Sequence, residues 1–372
     1  MAAADAVRYI CAMANDNSPT PAARSWHGAA LALAAAALFG ASAPAAKVLL
    51  DQVDPWLLAG LLYLGSGIGL LAFRLARRAL GQAPAEAPLA GADWGWLAGA
   101  ILAGGVIGPV FLMLGLAVTP ASSASLLLNL EGVLTALLAW IVFRENAGLR
   151  VVLGMAAIGA GAVVLSWQGG ARIGDALGPL LIVGACLAWG LDNNLTRKLS
   201  LADPVQIAML KGLAAGTVNL ALALLQGAAL PGAGVLAVAG VVGLLGYGVS
   251  IVLFVLALRY VGTARTGAYF SVAPFVGAAL AVTTLGEPVG LRFVAAGLLM
   301  AVGVWLHLTE RHEHVHSHPY LAHTHRHVHD AHHQHAHGPA DPPGEPHSHW
   351  HEHLPMRHSH AHYPDAHHRH EH

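Results

Sequence analysis

Glu145-Asn-Ala-Gly-Leu-Arg150 recurs 142 residues later as Glu287-Pro-Val-Gly-Leu-Arg292. The match runs outward without a gap: Ala136, Leu138, Ala139, Val152 and Gly161 fall on Ala278, Leu280, Ala281, Val294 and Gly303. Further upstream, Gly40 and Asp54-Pro55 find counterparts in Gly190 and Asp203-Pro204. The chain therefore contains two copies of one unit. What each unit is follows from its apolar stretches.

A membrane-spanning helix needs about 20 mostly apolar residues. Such stretches run over His27–Leu50, Pro55–Ala76, Trp94–Val118, Ala121–Phe143 and Leu149–Trp167 in the first copy. The second copy supplies Leu177–Leu199, Pro204–Leu225, Val235–Leu258, Thr263–Leu285 and Leu291–Leu308. Breakers such as Asp54-Pro55, Thr119-Pro120, Gly169-Gly170, Asp203-Pro204, Pro231-Gly232 and Glu287-Pro288 separate them. Five spans is an odd number, so the second copy must enter the bilayer upside down. The expected fold is an all-α membrane protein of ten transmembrane helices, arranged as two inverted five-helix repeats.

Composition agrees. Of 372 residues, 56% are apolar and only 10% charged, against about 25% charged in a soluble globular domain. That excludes a soluble enzyme. A net charge of -1 without a Lys/Arg stripe makes a nucleic-acid partner unexpected. The two cysteines, Cys11 and Cys186, form neither a CxxC nor an even framework. The first 26 residues lack the basic-then-apolar order of a signal peptide. The expected organisation is a cytoplasmic N-terminal tail over 1–26, repeats over 27–167 and 177–308, and a separate tail over 310–372. Before that tail, eleven basic residues, Arg74, Arg77 and Arg78 among them, fall on the N-terminal side of the membrane. Only Lys47, Arg172 and Arg292 fall on the other. The positive-inside rule then puts both termini in the cytoplasm of a cell (plasma or inner) membrane.

Three stretches carry a family resemblance: Ala37-Leu-Phe-Gly-Ala-Ser-Ala-Pro-Ala-Ala-Lys47, Thr119-Pro-Ala-Ser-Ser-Ala-Ser125 leading to Phe143-Arg-Glu145, and Thr263-Ala-Arg-Thr-Gly-Ala268 leading to Leu285-Gly-Glu287. They resemble the EamA-type domain of the drug/metabolite transporter superfamily, in two copies over about residues 27–308. The resemblance implies ten helices, cytoplasmic termini, a central cavity and export of amino acids, metabolites or drugs. It also implies no enzymatic activity and no required cofactor. Similar proteins often carry a proline midway along helices four and nine. Pro274 is present here, but its counterpart is Gly132, preceded by Glu131.

A charge at mid-membrane costs roughly 2.5–3.5 kcal/mol on insertion scales, and so usually faces a cavity or a partner. Glu131, two residues after Asn129, is expected to line a solute cavity, binding a cationic substrate or carrying a coupling proton. The bland alternative is a hydrogen-bonded glutamate that locks two helices together. Asp192 and Lys211 lie equally far from the turn between their helices, each roughly 14 Å from it at about 1.5 Å per residue. A buried salt bridge between them is expected. Asn193 and Asn194 form a polar patch beside Asp192 that can contribute to the cavity wall, and Tyr269 is the tyrosine expected to reach solute. The glycine clusters around Gly67 and Gly104 read as close-packing or bending sites rather than phosphate loops. The Glu145/Arg150 and Glu287/Arg292 pairs are expected to pin their turns.

After Glu310 the composition changes, and 23 of the 25 histidines follow. The first block holds His312, His314, His316, His318, His323, His325, His327, His329, His332, His333, His335 and His337. The second holds His347, His349, His351, His353, His358, His360, His362, His367, His368, His370 and His372. The second block repeats the first at an offset of 35. Pro319, Pro339, Pro342, Pro343 and Pro346 argue for a disordered tail. His-x-His puts two imidazoles on one face of an extended chain and suits divalent transition metals such as Zn, Ni, Cu or Co. Many equivalent pairs predict several weak sites. The alternatives are a polycation that charges on mild acidification or a neutral appendage.

The expected function is a secondary transporter exporting a small metabolite, amino acid or drug-like solute by alternating access, with a metal-binding tail. The alternative is a divalent-metal exporter whose tail delivers the ion. An outsider is a membrane-anchored metal store.

Overall fold

The computed structural model describes residues 21–81, 89, 91, 93–143, 148–167, 173–199, 202–309, 313–318, 321–327, 347–353 and 356–361. Ten helices make the membrane body. The first copy gives α1 (Pro21–Leu49), α2 (Pro55–Ala79), α3 (Asp93–Ala100 continuing into Gly108–Val118), α4 (Ala121–Leu127 and Leu130–Phe143) and α5 (Leu149–Ser166). The second gives α6 (Ile173–Thr196), α7 (Pro204–Leu225), α8 (Ala233–Gly243 continuing into Ser250–Phe270), α9 (Ala273–Leu285) and α10 (Leu291–Leu308). Among the described residues nine apolar stretches are long enough to cross a bilayer, and Ala273–Leu285 is a shorter tenth.

The two copies start their second helix in the same way. Asp54 Oδ1 accepts from the backbone N–H groups of Trp56 and Leu57, and Asp203 Oδ1 from those of Val205 and Gln206. Pro55 and Pro204 occupy the first helical position, where no N–H is needed. Both copies also carry a π-helical segment in their third helix, Ile101–Ile107 in α3 and Leu244–Val249 in α8. A shift of 142 residues places one of these on the other.

Packing obeys the same symmetry. Gly154 of α5 sits against Gly303 of α10 and Gly161 against Ala296. The 142-residue shift exchanges these two contacts, as an axis relating the copies requires. On the outside, Ile68, Phe73, Leu102, Val163 and Leu298 are exposed, which suits acyl chains. Inside, Ala32, Ala35, Ala36 and Ala46 are fully buried. Small residues let backbones approach closely where lipid removes any hydrophobic drive for helices to associate.

Helices eight and nine differ from expectation in detail. Helical geometry continues from Ser250 to Phe270 with no gap near Gly262. The chain nevertheless reverses there. The rings of Phe254 and Phe270 lie 4.9 Å apart, whereas a straight helix would separate them by about 24 Å. The first copy breaks at Thr119-Pro120; the second has Gly262 at the proline's place and keeps its N–H.

Of the tail, the described residues are four short extended segments, β1 (Glu313–His318), β2 (Leu321–His327), β3 (His347–His353) and β4 (Met356–Ala361). β1 pairs antiparallel with β4 and β2 with β3. The alternating residues that suit a metal ligand also suit a strand, and the prolines lie between strands rather than in them. The metal ligands expected at His312, His329, His332, His333, His335, His337, His362, His367, His368, His370 and His372 lie outside the described residues, as does Glu145.

Candidate functional site

The two copies bend at equivalent places. In α4 the helix is interrupted at Leu128-Asn129, and between α8 and α9 at Ser271-Val272. The causes differ. Pro274, at the start of α9, has no N–H to give the Phe270 carbonyl. Its counterpart is Gly132, so α4 needs another device. Asn129 supplies it: its Nδ2 donates to the Leu126 carbonyl at 2.9 Å, competing with the backbone. The backbone N–H groups of Asn129 and Glu131 then reach carbonyls only three residues back.

A cavity of about 380 Å³ lies between these breaks. Asn129, Glu131 and Gly132 face Phe270, Ser271 and Pro274 across it, with Phe39 of α1 and Ile158 of α5 on the walls. Val304, His307 and Leu308 carry the lining to the C-terminal end of α10. The cavity therefore runs from the helix breaks towards the end of the bundle where the tail begins. Glu131 Oε1 accepts from Asn193 Nδ2 at 2.9 Å, and Asn193 also donates to Thr135 Oγ1 at 3.2 Å. A single amide thus orients the carboxylate and leaves it acceptor capacity. Phe39 and Phe270, 5.4 Å apart, add aromatic surface. His307 Nε2 lies 3.0 Å from the Val151 carbonyl.

The expected site residues separate into two groups. Asn129 and Glu131 line the cavity, and Asn193 holds Glu131 from α6. Asn194 does not contribute to the wall. It is buried, and its amide donates to the carbonyls of Gly190 at 2.8 Å and Thr135 at 3.2 Å, tying α6 to α4. Tyr269 also departs from expectation: it is half-buried outside the lining, and its neighbours Phe270 and Ser271 take that place. Residue 269 sits about 100° around the helix from 270, and without the position of the break nothing in the sequence fixes which one faces inward.

Asp192 and Lys211 meet. Lys211 Nζ lies 2.6 Å from both carboxylate oxygens, and Thr196 Oγ1 donates to Oδ1 at 2.8 Å. Room for the carboxylate comes from Gly104, where any Cβ would collide with Asp192 Oδ2. The same π segment is braced by side chains. Gly108 N–H bonds the Ala103 carbonyl, five residues back. The next donor would be Pro109, which has none, so the carbonyls of Gly104 and Gly105 need other partners. Tyr63 Oη (2.8 Å) and Trp189 Nε1 (2.9 Å) donate to Gly104 O, and Asn219 Nδ2 (3.1 Å) to Gly105 O.

Among the described residues, Glu287 and Arg292 do not pair within their turn, and Glu145, the expected partner of Arg150, lies outside them. Glu287 caps α4, accepting from the N–H groups of Ala121 at 2.6 Å and Ser122 at 2.8 Å. Arg292 donates to the Trp167 carbonyl at 2.8 Å and Arg150 to the Thr309 carbonyl at 2.9 Å. Lys47 donates to the carbonyls of Leu116, Ala117 and Thr119 at the end of α3. Each charge joins one helix to the end of another.

The EamA-like transporter family model matches the chain twice, over residues 26–167 and 176–309. The chain belongs to the EamA-like transporter family. It is accordingly a multi-pass membrane transporter of the drug/metabolite transporter superfamily. An uncharacterized transporter of Methanothermobacter thermautotrophicus is 31% identical over 288 residues, covering 74% of this chain and 84% of that protein. A protein of known crystal structure superposes with a TM-score of 0.56 at 20% identity, over 75% of this chain and 94% of that one. That second likeness concerns the fold alone.

Proposed function

We propose that this EamA-like transporter exports a small solute from the cytoplasm across the cell membrane, through the cavity around Glu131. The observation that carries the reading is the position of the cavity at the equivalent breaks of the two inverted copies. Broken helices meeting at a repeat interface are where secondary transporters place substrate. A volume of about 380 Å³ suits a metabolite, an amino acid or a small drug-like molecule. Glu131, backed by Asn193 and faced by Phe39 and Phe270, suits an amino or other cationic group on that solute. With both termini cytoplasmic, the end of the cavity at His307 and Leu308 opens to the cytoplasm, and export follows when the halves rock to open the other end. The histidine-rich tail binds divalent transition metals on the cytoplasmic side and regulates or buffers, rather than supplying cargo.

A divalent-metal exporter is the second reading, favoured by His307 in the lining a few residues before the tail begins. Against it, the described residues hold no cluster of three or more metal-binding side chains. The deciding experiment is a panel transport assay in inverted vesicles, with amino acids, amines, Ni and Zn, on the wild type and Glu131→Gln. Saturable transport of an organic cation or amino acid, lost in Glu131→Gln, supports the reading. Saturable transport of a metal ion alone replaces it with the second. Cysteines at 145 and 287 are to be labelled from the cytoplasm and from outside respectively; labelling from one side only ends the inverted topology.

A further inference from the structure

The cavity reaches one end of the bundle, and the other end is shut. Its lining runs from the helix breaks at Asn129 and Ser271 to His307 and Leu308, where α10 ends. Towards the opposite face, the first segment of α4 lies against α9. Ser125 of α4 is buried, and a Cβ on Gly277 of α9 would come within 2.7 Å of its hydroxyl. Beyond that contact, Glu287 reaches from the turn after α9 to the start of α4. Its Oε1 accepts from the Ala121 N–H at 2.6 Å and its Oε2 from the Ser122 N–H at 2.8 Å. Lys47 of α1 donates to the carbonyls of Leu116, Ala117 and Thr119 on the near side of the same turn. An anion thus meets the N-terminal end of one helix and a cation the C-terminal end of the other. The two bonds to Glu287 join the first copy to the second, and bonds to a charged group are stronger than neutral ones.

The 142-residue shift gives these residues counterparts on the cavity side. Ser125 falls on Gly267, and Gly277 on Thr135. Gly267 lines the cavity, and among the described residues a Cβ on it would meet nothing within 4 Å. Thr135 lies instead against Gly190 of α6. Ala121 and Ser122 fall on Thr263 and Ala264. There helical geometry continues through the turn, whereas the first copy opens it at Thr119-Pro120. Glu287 falls on Glu145, which lies outside the described residues. One end of the molecule therefore holds the closed form of a contact whose symmetric positions stand apart at the other.

We propose that Glu287 and Glu145 are alternating latches, positioning residues that set which end of the cavity is open. Glu287 holds the outer gate shut in the form described here. When it lets go, Thr135 closes on Gly267, the turn at Gly262 opens, and Glu145 takes the N–H groups of Thr263 and Ala264. This rests on export through the cavity around Glu131 and adds the residues that govern its two gates. One latch breaks as the other forms, so neither state is favoured by the full strength of a charged cap. A bound solute then needs only a modest differential affinity to move the equilibrium. A carboxylate suits the task because it brings two accepting oxygens and a charge, where glutamine brings one oxygen and none.

The test is thiol labelling of the full-length protein in cells and in inverted vesicles, in a background of Cys11→Ala and Cys186→Ala. Ser125→Cys reports the outer gate and Ser271→Cys the cavity, to a membrane-impermeant trimethylammonium methanethiosulfonate. With both glutamates intact, Ser271→Cys is expected to react from the cytoplasmic side and Ser125→Cys slowly from outside. Glu287→Gln should speed outside labelling of Ser125→Cys by about tenfold, and Glu145→Gln should slow it. Both changes together should return it towards the starting rate. A protein damaged only by loss of a cap would not respond with opposite signs. A second measurement joins Thr135→Cys to Gly267→Cys with copper phenanthroline, expected to be faster in Glu287→Gln and slower in Glu145→Gln. Rates that move the same way in both variants, or in neither, overturn the latches and leave the cavity reading standing. Ser271→Cys reached from outside and not from the cytoplasm overturns the export reading, and with it the assignment of the latches to their sides.

Discussion

The two halves of this transporter place the same features at the same positions and build them from different chemistry. The second helix break is made by Pro274, the first by the Asn129 amide; a 142-residue shift puts one at Ser271 and the other at Asn129. The π segments differ in the same way. In α8 the Gly246 carbonyl is met by the hydroxyl of Ser250, within its own helix. In α3 the equivalent Gly104 carbonyl is met by Tyr63 and Trp189, from two other helices. Opposite these glycines stand Ser42 in one half and Asp192 in the other. Backbone shape is kept between the copies, while polar side chains are free to differ. The α3 glycine thus faces a buried ion pair and a cross-helix brace, and its α8 equivalent a serine and a local bond.

The largest test of that contrast is charge. Asp192→Ala or Lys211→Ala strands a buried partner, and each is expected to cost about 3–5 kcal/mol, read as lost monodisperse protein and a lowered Tm. The double change removes both charges and should recover part of the loss. Ser42→Ala, at the equivalent place, removes one hydrogen bond to the Phe39 carbonyl (2.6 Å) and should cost about 1 kcal/mol. If the double mutant is no better than the singles, the pair does not act as a pair. A Ser42 change as damaging as either would erase the difference between the halves.

Glycine gives the next step down. Gly104→Ala drives a methyl group into the Asp192 carboxylate, so the ion pair must shift. Gly246→Ala meets the Ser42 Cβ at 2.7 Å, an overlap of small side-chain atoms. Overpacking costs typically about 1–3 kcal/mol, and Gly104→Ala is expected at or above the top of that range and Gly246→Ala near its bottom. Thermal unfolding in detergent measures both. The reverse order would mean that the carboxylate moves aside freely.

Much of this was legible in the sequence, for reasons that differ by residue. The Glu-x-x-Gly-Leu-Arg duplication required inverted halves, because a five-helix unit repeated without a sixth span must invert. Asp192 and Lys211 could be matched because an antiparallel hairpin sets equal depths. Asn194 and Tyr269 could not be placed. An asparagine's partners depend on which carbonyls a neighbouring helix leaves open, and a tyrosine beside a break depends on rotation the break introduces. The π segments were legible only in part: the glycines at Gly104 read as a close-packing or bending site within Ile101–Ile107, but Leu244–Val249 read as ordinary apolar helix. Pro109 adds a second hint at the first, and nothing hints at the second.

The helix breaks offer a test through transport. Asn129→Ala removes the competing amide and allows α4 to run straighter; Pro274→Ala restores a donor to α9. Neither change strips a buried charge, so Tm should move little. Solute efflux should fall in both, by about tenfold if the bend contributes about 1.4 kcal/mol to the transport barrier. A drop in only one would show that the two halves do not share the motion equally.

The smallest effect is expected where the halves are most alike. Arg150 and Arg292 are equivalent by the 142-residue shift, and so are their acceptors, the carbonyls of Thr309 and Trp167. Both bonds are exposed and cap the C-terminal ends of α10 and α5, where a cation complements the helix dipole. Each is therefore expected to be worth about 0.3–1 kcal/mol, screened by salt. Arg150→Ala and Arg292→Ala should lower Tm by similar small amounts, and the shortfall should shrink as NaCl is raised. The two sites share no partner and cap opposite ends of the α5–α10 pair, so the double change should equal the sum of the singles. Unequal losses would show that a polar contact identical in both halves still feels its surroundings, and the contrast between the copies would then extend beyond Asp192 and Pro274 to the helix ends. Equal and additive losses would confine it to the interior, where Gly104 and Gly246 meet different side chains.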